Sequence, residues 1–149
     1  MELEKEITQK SFRNNYHKAE VNLIFTYNWL YEFKSKMLKP HYITTQQYNI
    51  LRILRGQYPN PATIKLLKER MLDKMSDASR IVEKLRTKGL VERKISAVSR
   101  RTVDVVITQN GLDLLAEIDK RDCEVDEFMS KLKSHEIDQL NYLLDKLRG

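Results

Sequence analysis

The hydrophobic period of the chain changes at Gly89, and this change restricts the fold more than any other feature. Upstream, Ile81, Val82 and Leu85 recur at helical spacing and stop at Lys88-Gly89. Downstream, Leu90 to Ile95 reads as one strand, and Val103, Val105 and Ile107 alternate with Thr102, Asp104 and Val106 in a second. Ser96-Ala97-Val98-Ser99-Arg100 lies between them as the tip of a hairpin, and Arg100-Arg101 makes its return basic. This is the order of a helix-turn-helix that continues into a two-stranded β-wing, within a mainly α (α+β) fold. Such a unit offers duplex DNA one helix for the major groove and a basic ribbon for the neighbouring backbone.

The charge pattern agrees with that use. From Thr63 to Arg101 there are twelve Lys and Arg against five Asp and Glu, a local balance of +7 within a chain of net charge +6. The remaining residues hold fifteen basic against sixteen acidic. A basic solubility coat would be spread along the chain, whereas a surplus gathered on one segment is what phosphate neutralisation requires.

Only four Gly and three Pro in 149 residues favour long helices elsewhere. Phe12, Tyr16, Ala19, Leu23, Tyr27, Leu30 and Met37 form one stripe of a long amphipathic helix that Pro40 stops. Thr44-Thr45-Gln46-Gln47 offers a capping box for a second helix through Leu51 and Leu54, and Gly56 is placed to supply a left-handed residue at its end. Tyr58-Pro59-Asn60-Pro61 reads as a loop, and Thr63 caps a short helix to about Arg70. Asp73 or Ser76 is expected to cap the next helix, whose span of about 15 residues is roughly 22 Å long. Thr108 and Gly111 open a long helix carrying Leu115, Ile118, Val125, Met129 and Leu132, and Ser134 is expected to cap a last one with Ile137, Leu140, Leu144 and Leu147. The organisation expected is an N-terminal helix over 1–40, a winged helix-turn-helix over 41–108 and C-terminal dimerisation helices over 109–149.

Several classes of function are disfavoured. No apolar run approaches the roughly 18 residues of a membrane span, and the charged amino terminus is unlike a secretory signal. The single cysteine, Cys123, excludes an internal disulfide and suits a reducing cytoplasm. Asp122 and Glu124 flank it and would raise its thiol pKa, which speaks for interface packing over redox sensing. His17, His41 and His135 lie far apart without metal-ligand spacing, so no metal or other cofactor is expected. A glycine-rich phosphate loop, a Gly-x-Ser-x-Gly elbow and a His-Glu-x-x-His motif are all missing, so the chain does not read as an enzyme.

Five stretches carry a family resemblance: Thr45 to Leu51, Ser79 to Leu85, Lys88 to Arg93, Arg100-Arg101, and Ile107 to Gly111. In this order and spacing, over about half the chain, they resemble the multiple-antibiotic-resistance regulator (MarR) family of bacterial transcription factors. The resemblance implies a winged-helix homodimer on a pseudo-palindromic operator, usually a repressor, that many relatives release on binding a small phenolic or other aromatic ligand, an oxidant or a metal. Relatives usually carry an acidic residue before the paired wing arginines. Here that position is Ser99, so the Asp–Arg pair that would steady the wing is missing.

Lys74, Ser76, Asp77, Ser79, Arg80 and Lys84 belong to the recognition helix. Arg80 can give two hydrogen bonds to guanine, or contact a phosphate or an internal acid instead; Asp77 suits a helix cap, and Lys74 and Lys84 suit phosphates. Lys94, Arg100 and Arg101 are the wing contacts, with surface ion pairs as the alternative. Tyr27, Tyr31, Tyr42 and Tyr48, in a cluster with Trp29, either line an effector pocket or build core. Tyr16, Leu115, Ile118, Val125, Met129, Leu140, Leu144 and Leu147 are expected at a dimer interface. The alternatives are a redox- or metal-responsive regulator and a winged-helix protein-interaction module without ligand response.

Overall fold

Helix caps written into the sequence set most element boundaries of the computed structural model, which describes residues 2–95 and 102–149, with Asp122 and Cys123 described in backbone only. After a short helix α1 (Leu3–Glu6), the Asn14 side chain accepts from the His17 amide and starts α2 (Asn15–Leu38). The segment before Asn15 is thus not part of the long first helix that the apolar stripe predicts. A 3-10 turn over Lys39–His41 brings in Pro40, and Tyr42 reverses the chain in the left-handed region at φ 55°. The predicted capping box is present: the Gln47 amide donates to Thr44 Oγ1 and the Thr44 amide to Gln47 Oε1, both at 3.1 Å, opening α3 (Thr45–Gln57).

Gly56 does not end that helix. It stays inside α3, which stops at Tyr58 where Pro59 removes the next amide donor. Strand β1 (Ala62–Thr63) follows the Tyr58–Pro61 loop; its pairing with the later hairpin, not its own two residues, makes it a strand. Thr63 then caps α4 (Ile64–Arg70) by accepting from the Leu66 amide. The following helix α5 (Ala78–Thr87) is capped by Asp77, not by Asp73 or Ser76. Its 10 residues span about 15 Å, shorter than expected.

Strands β2 (Val91–Ile95) and β3 (Val103–Ile107) pair antiparallel from Val91↔Ile107 to Ile95↔Val103, and β1 joins the other edge of β3, giving the order β1-β3-β2. Thr108 caps α6 (Gln109–Asp119). The single long helix predicted beyond it is two: α6 gives way to α7 (Asp122–Met129) at Lys120-Arg121. There Arg121 turns back to donate to the Met37 carbonyl at 3.2 Å and to Glu124 at 2.7 Å. Helix α8 (Ser134–Arg148) begins with the Lys133 amide donating to Glu136, so Ser134 is its first residue and not its cap.

The core lies among α3, α4, α5, α6 and the sheet, where Ile50, Leu51, Leu54, Leu67, Val82, Leu85, Val91, Val105, Leu115 and Ile118 are fully buried. This corrects two assignments. Leu115 and Ile118 are not interface residues, because α6 closes the protomer's own core with them. The Arg55 guanidinium grips Asp119 at 2.5 Å and holds α6 against α3. The long arms are different. Helix α2 buries only Met37 and Leu38 of its 24 residues, and α8 buries none. Tyr16, Leu140 and Leu147 are exposed, and Val125, Met129 and Leu144 are half-buried.

Candidate nucleic-acid interface

Helix α5 is two-faced. Ala78, Val82 and Leu85 are buried, while Ser79, Arg80 and Lys84 are exposed on the opposite side. Arg80 and Lys84 are four residues apart and therefore share a face. Neither side chain makes a hydrogen bond or ion pair with another of the described residues. Asp77 is spent on the cap, accepting from the Arg80 amide at 3.0 Å, in line with the cap reading. Ser76 is half-buried and donates its hydroxyl to Asp73 at 2.6 Å. The Lys74 ammonium donates to the Glu69 carbonyl at 2.5 Å.

The neighbouring cations are engaged in holding the unit together. Glu83 accepts from Arg86 at 2.7 Å and from Arg93 of β2 at 3.1 Å. These two guanidiniums hold its carboxyl down to about 2, Arg86 contributing first. Lys88 donates to the Tyr42 carbonyl and, at 3.2 Å, to Gln47 Oε1. This fastens the end of α5 to the start of α3. Nothing in the sequence pattern marked Glu83 for Arg93 or Lys88 for Gln47, because these partners lie 10 and 41 residues away.

Gly89, at φ 70°, turns the chain out of α5 as the period change predicts, and the Leu90 amide donates back to Leu85 at 3.0 Å. The Thr108 hydroxyl donates to the Gly89 carbonyl at 2.7 Å and accepts from the Gly111 amide at 3.2 Å, so one side chain joins the end of α5 to the start of α6. Lys94 lies on β2 beside Glu92, 3.2 Å away and largely exposed, an ion pair of little energetic weight. Arg100 and Arg101 lie outside the described residues. Among the described residues no cluster of three or more His, Cys, Asp or Glu side chains could hold a metal ion. No helix among them is long and apolar enough to cross a membrane.

The tyrosines divide. Tyr27, Tyr31 and Tyr48 border a groove of about 810 Å³ between α2, α3 and the start of the α4–α5 turn, together with Leu30, Arg52 and Leu72. That volume is in the range of small-molecule sites. Tyr48 receives a hydrogen bond from Arg52 at 2.9 Å, and the guanidinium lies 5.7 Å from its ring centre. Tyr42 does not border the groove: it is 84% exposed at its left-handed turn. Trp29 packs on Phe128 at 4.3 Å between ring centres, tying α2 to α7. The cluster expected from sequence is therefore three groove residues and two others.

The chain is 25% identical over 142 residues to the HTH-type transcriptional regulator MhqR of Bacillus subtilis, covering 95% of this chain and 93% of that one. It superposes with a TM-score of 0.72 on a mutant MarR from E. coli complexed with operator DNA, at 25% identity over 99% of both chains. The fold also matches the organohalide-sensing transcriptional regulator RdhR in its 2,4-dichlorophenol-bound form, with a TM-score of 0.81 at 19% identity, over 94% of this chain and 85% of that one. No protein-family model matches the chain.

Proposed function

We propose that this chain, a MarR-type transcriptional regulator by sequence likeness and fold, works as a homodimer that binds duplex DNA at a pseudo-palindromic operator and represses by occluding a promoter. The observation that carries the reading is the exposed Arg80–Lys84 face of α5. Those cations have no partner among the described residues, while Arg86, Arg93 and Lys88 beside them are tied down. Arg80, on the first turn, is positioned to read a guanine, and Lys84 to meet a phosphate. The operator complex of the MarR relative supports the same use of this fold.

Dimerisation supplies the second half-site. Tyr16, Leu23, Ile24 and Tyr27 on α2 and Tyr142, Leu143 and Leu147 on α8 are exposed in the single protomer. A partner's equivalent helices would cover them, together with Leu140 and Leu144. Two α5 helices about 34–36 Å apart would then enter successive major grooves on one face of the duplex.

The groove bordered by Tyr27, Tyr31 and Tyr48 lies between the arm α2 and the helix-turn-helix, with Lys74 of the α4–α5 turn on its rim. A small aromatic ligand wedged there would bias the spacing of the two α5 helices and release the operator. The dichlorophenol-bound relative supports this class of effector.

Selection from a randomised duplex pool tests the proposal. The expected product is a two-fold symmetric site with half-sites about one helical turn apart. Recovery of no enriched sequence, or of an asymmetric one, counts against it.

A further inference from the structure

The turn between α4 and α5 holds an apolar side chain in full solvent, and the surrounding bonds are arranged to keep it there. Met71 at the start of the turn and Ala78 at its end are buried, at 1% and 3% exposure. Between them, the Leu72 amide donates to Asn49 Oδ1 at 2.9 Å. The Asp73 carboxylate accepts from the Met75 amide at 3.0 Å and from the Ser76 hydroxyl at 2.6 Å. Lys74 is held on the Glu69 carbonyl, and Asp77 caps α5. The backbone that carries Met75 is therefore braced on both sides. Its side chain is nevertheless 93% exposed, the most exposed large apolar group among the described residues. Leu72, exposed in the same turn, borders the tyrosine groove; Met75 does not.

The position gives that exposure a purpose. Residue 75 precedes the cap of α5 by two positions, at the helix end that faces base edges when a helix-turn-helix docks, with Arg80 one turn further on. Base edges in the major groove are polar except for one group, the C5 methyl of thymine. An unbranched thioether side chain adapts its shape to such a contact. We infer that Met75 is a specificity-determining residue that packs on a thymine methyl in each half-site, beside the polar contact made by Arg80. The inference rests on the DNA-binding reading above and adds to it the chemistry of one base position.

Deoxyuridine differs from thymidine by that methyl alone. The site recovered by the unaltered protein is synthesised with each thymine replaced in turn by deoxyuridine, and affinity is measured for the unaltered chain, Met75→Ala and Met75→Leu. The expected result is a loss of about fourfold per half-site for the unaltered protein at one symmetric pair of positions, the effect of losing one buried methyl. Met75→Ala is expected to bind thymine and deoxyuridine duplexes equally at that pair, with an unchanged salt dependence, and Met75→Leu to retain the preference. Equal sensitivity of the unaltered chain and Met75→Ala overturns the inference, as does loss of dimerisation in Met75→Ala by light scattering. Failure of the unaltered protein to bind any duplex would instead remove the DNA-binding reading itself.

Discussion

Glu83 on α5 and Arg93 on β2 are joined by a hydrogen bond of 3.1 Å, which ties the helix that exposes Arg80 and Lys84 to the first strand of the hairpin. Arg86 braces the same carboxylate from within the helix. The two elements that would touch DNA thus have a common attachment which no contact with DNA needs to create.

That attachment predicts a pH dependence. Folding lowers the Glu83 pKa from 4.5 to about 2, so its contribution to stability is fully present above about pH 4.5 and is lost as pH falls through 2. Between pH 5 and 8 the attachment should not vary. Glu83→Gln is expected to flatten the acid limb of a thermal-stability profile between pH 4.5 and 2 while leaving the shape above pH 5 unchanged. An unaltered acid limb in the variant would mean the pair adds nothing.

Arg80→Ala and Lys84→Ala should fail in different ways. Loss of Arg80 is expected to cost about 1–3 kcal/mol and to blur preference at one base position. Loss of Lys84 should weaken all sequences alike and lower the salt slope by about one. Competition titrations with single-base variants of the selected site separate the two patterns. Uniform loss in Arg80→Ala would make that residue a backbone anchor.

The arms make a prediction about assembly. Leu143 and Leu147 are 50% and 70% exposed on α8. Replacing both with Glu should leave the winged-helix core folded, yet shift the light-scattering mass from two chains to one and abolish tight operator binding. A dimer that survives the double change would place the interface elsewhere.

The two glycines inside helices, Gly56 and Gly111, should respond with opposite sign to alanine. A Cβ at Gly111 would stand 2.4 Å from the Leu90 carbonyl oxygen and 2.6 Å from Ile107 Cγ1, between the start of α6 and the end of β3. Gly111→Ala is expected to destabilise by about 1–3 kcal/mol. At Gly56 nothing lies within 4 Å and the residue is inside a helix, so Gly56→Ala should stabilise by about 0.5–1 kcal/mol. Denaturant midpoints of the two variants check both signs.

What could be read from the sequence was local. Thr44 with Gln47, Thr63 and Thr108 each cap a helix through a bond three residues long, and Gly89 turns the chain out of α5, as their spacing predicts. The failures share a cause. Gly56 looked like a helix end, but Pro59 ends the helix later. Ala62-Thr63 became a strand only because β3, forty residues on, had a free edge. Leu115 and Ile118 have the spacing of an interface stripe, and no periodicity distinguishes a partner chain from the protomer's own α3. At the candidate site, Arg80 and Lys84 could be singled out by helical spacing and charge. The roles of Glu83, Arg93 and Lys88 could not, since cations bound internally and cations left for a ligand look alike until their partners are in place.

Arg80 and Lys84 of α5, unpaired among the described residues, are proposed to meet bases and phosphates, and the salt dependence of duplex binding reads this out. Affinity for the selected site and for a random duplex should be measured by fluorescence anisotropy from about 50 to 200 mM salt. On both duplexes log affinity should fall linearly with log salt, with a slope that corresponds to several phosphates and a tighter curve for the selected site. A flat salt dependence, or equal affinity for the two duplexes at every salt concentration, would contradict it.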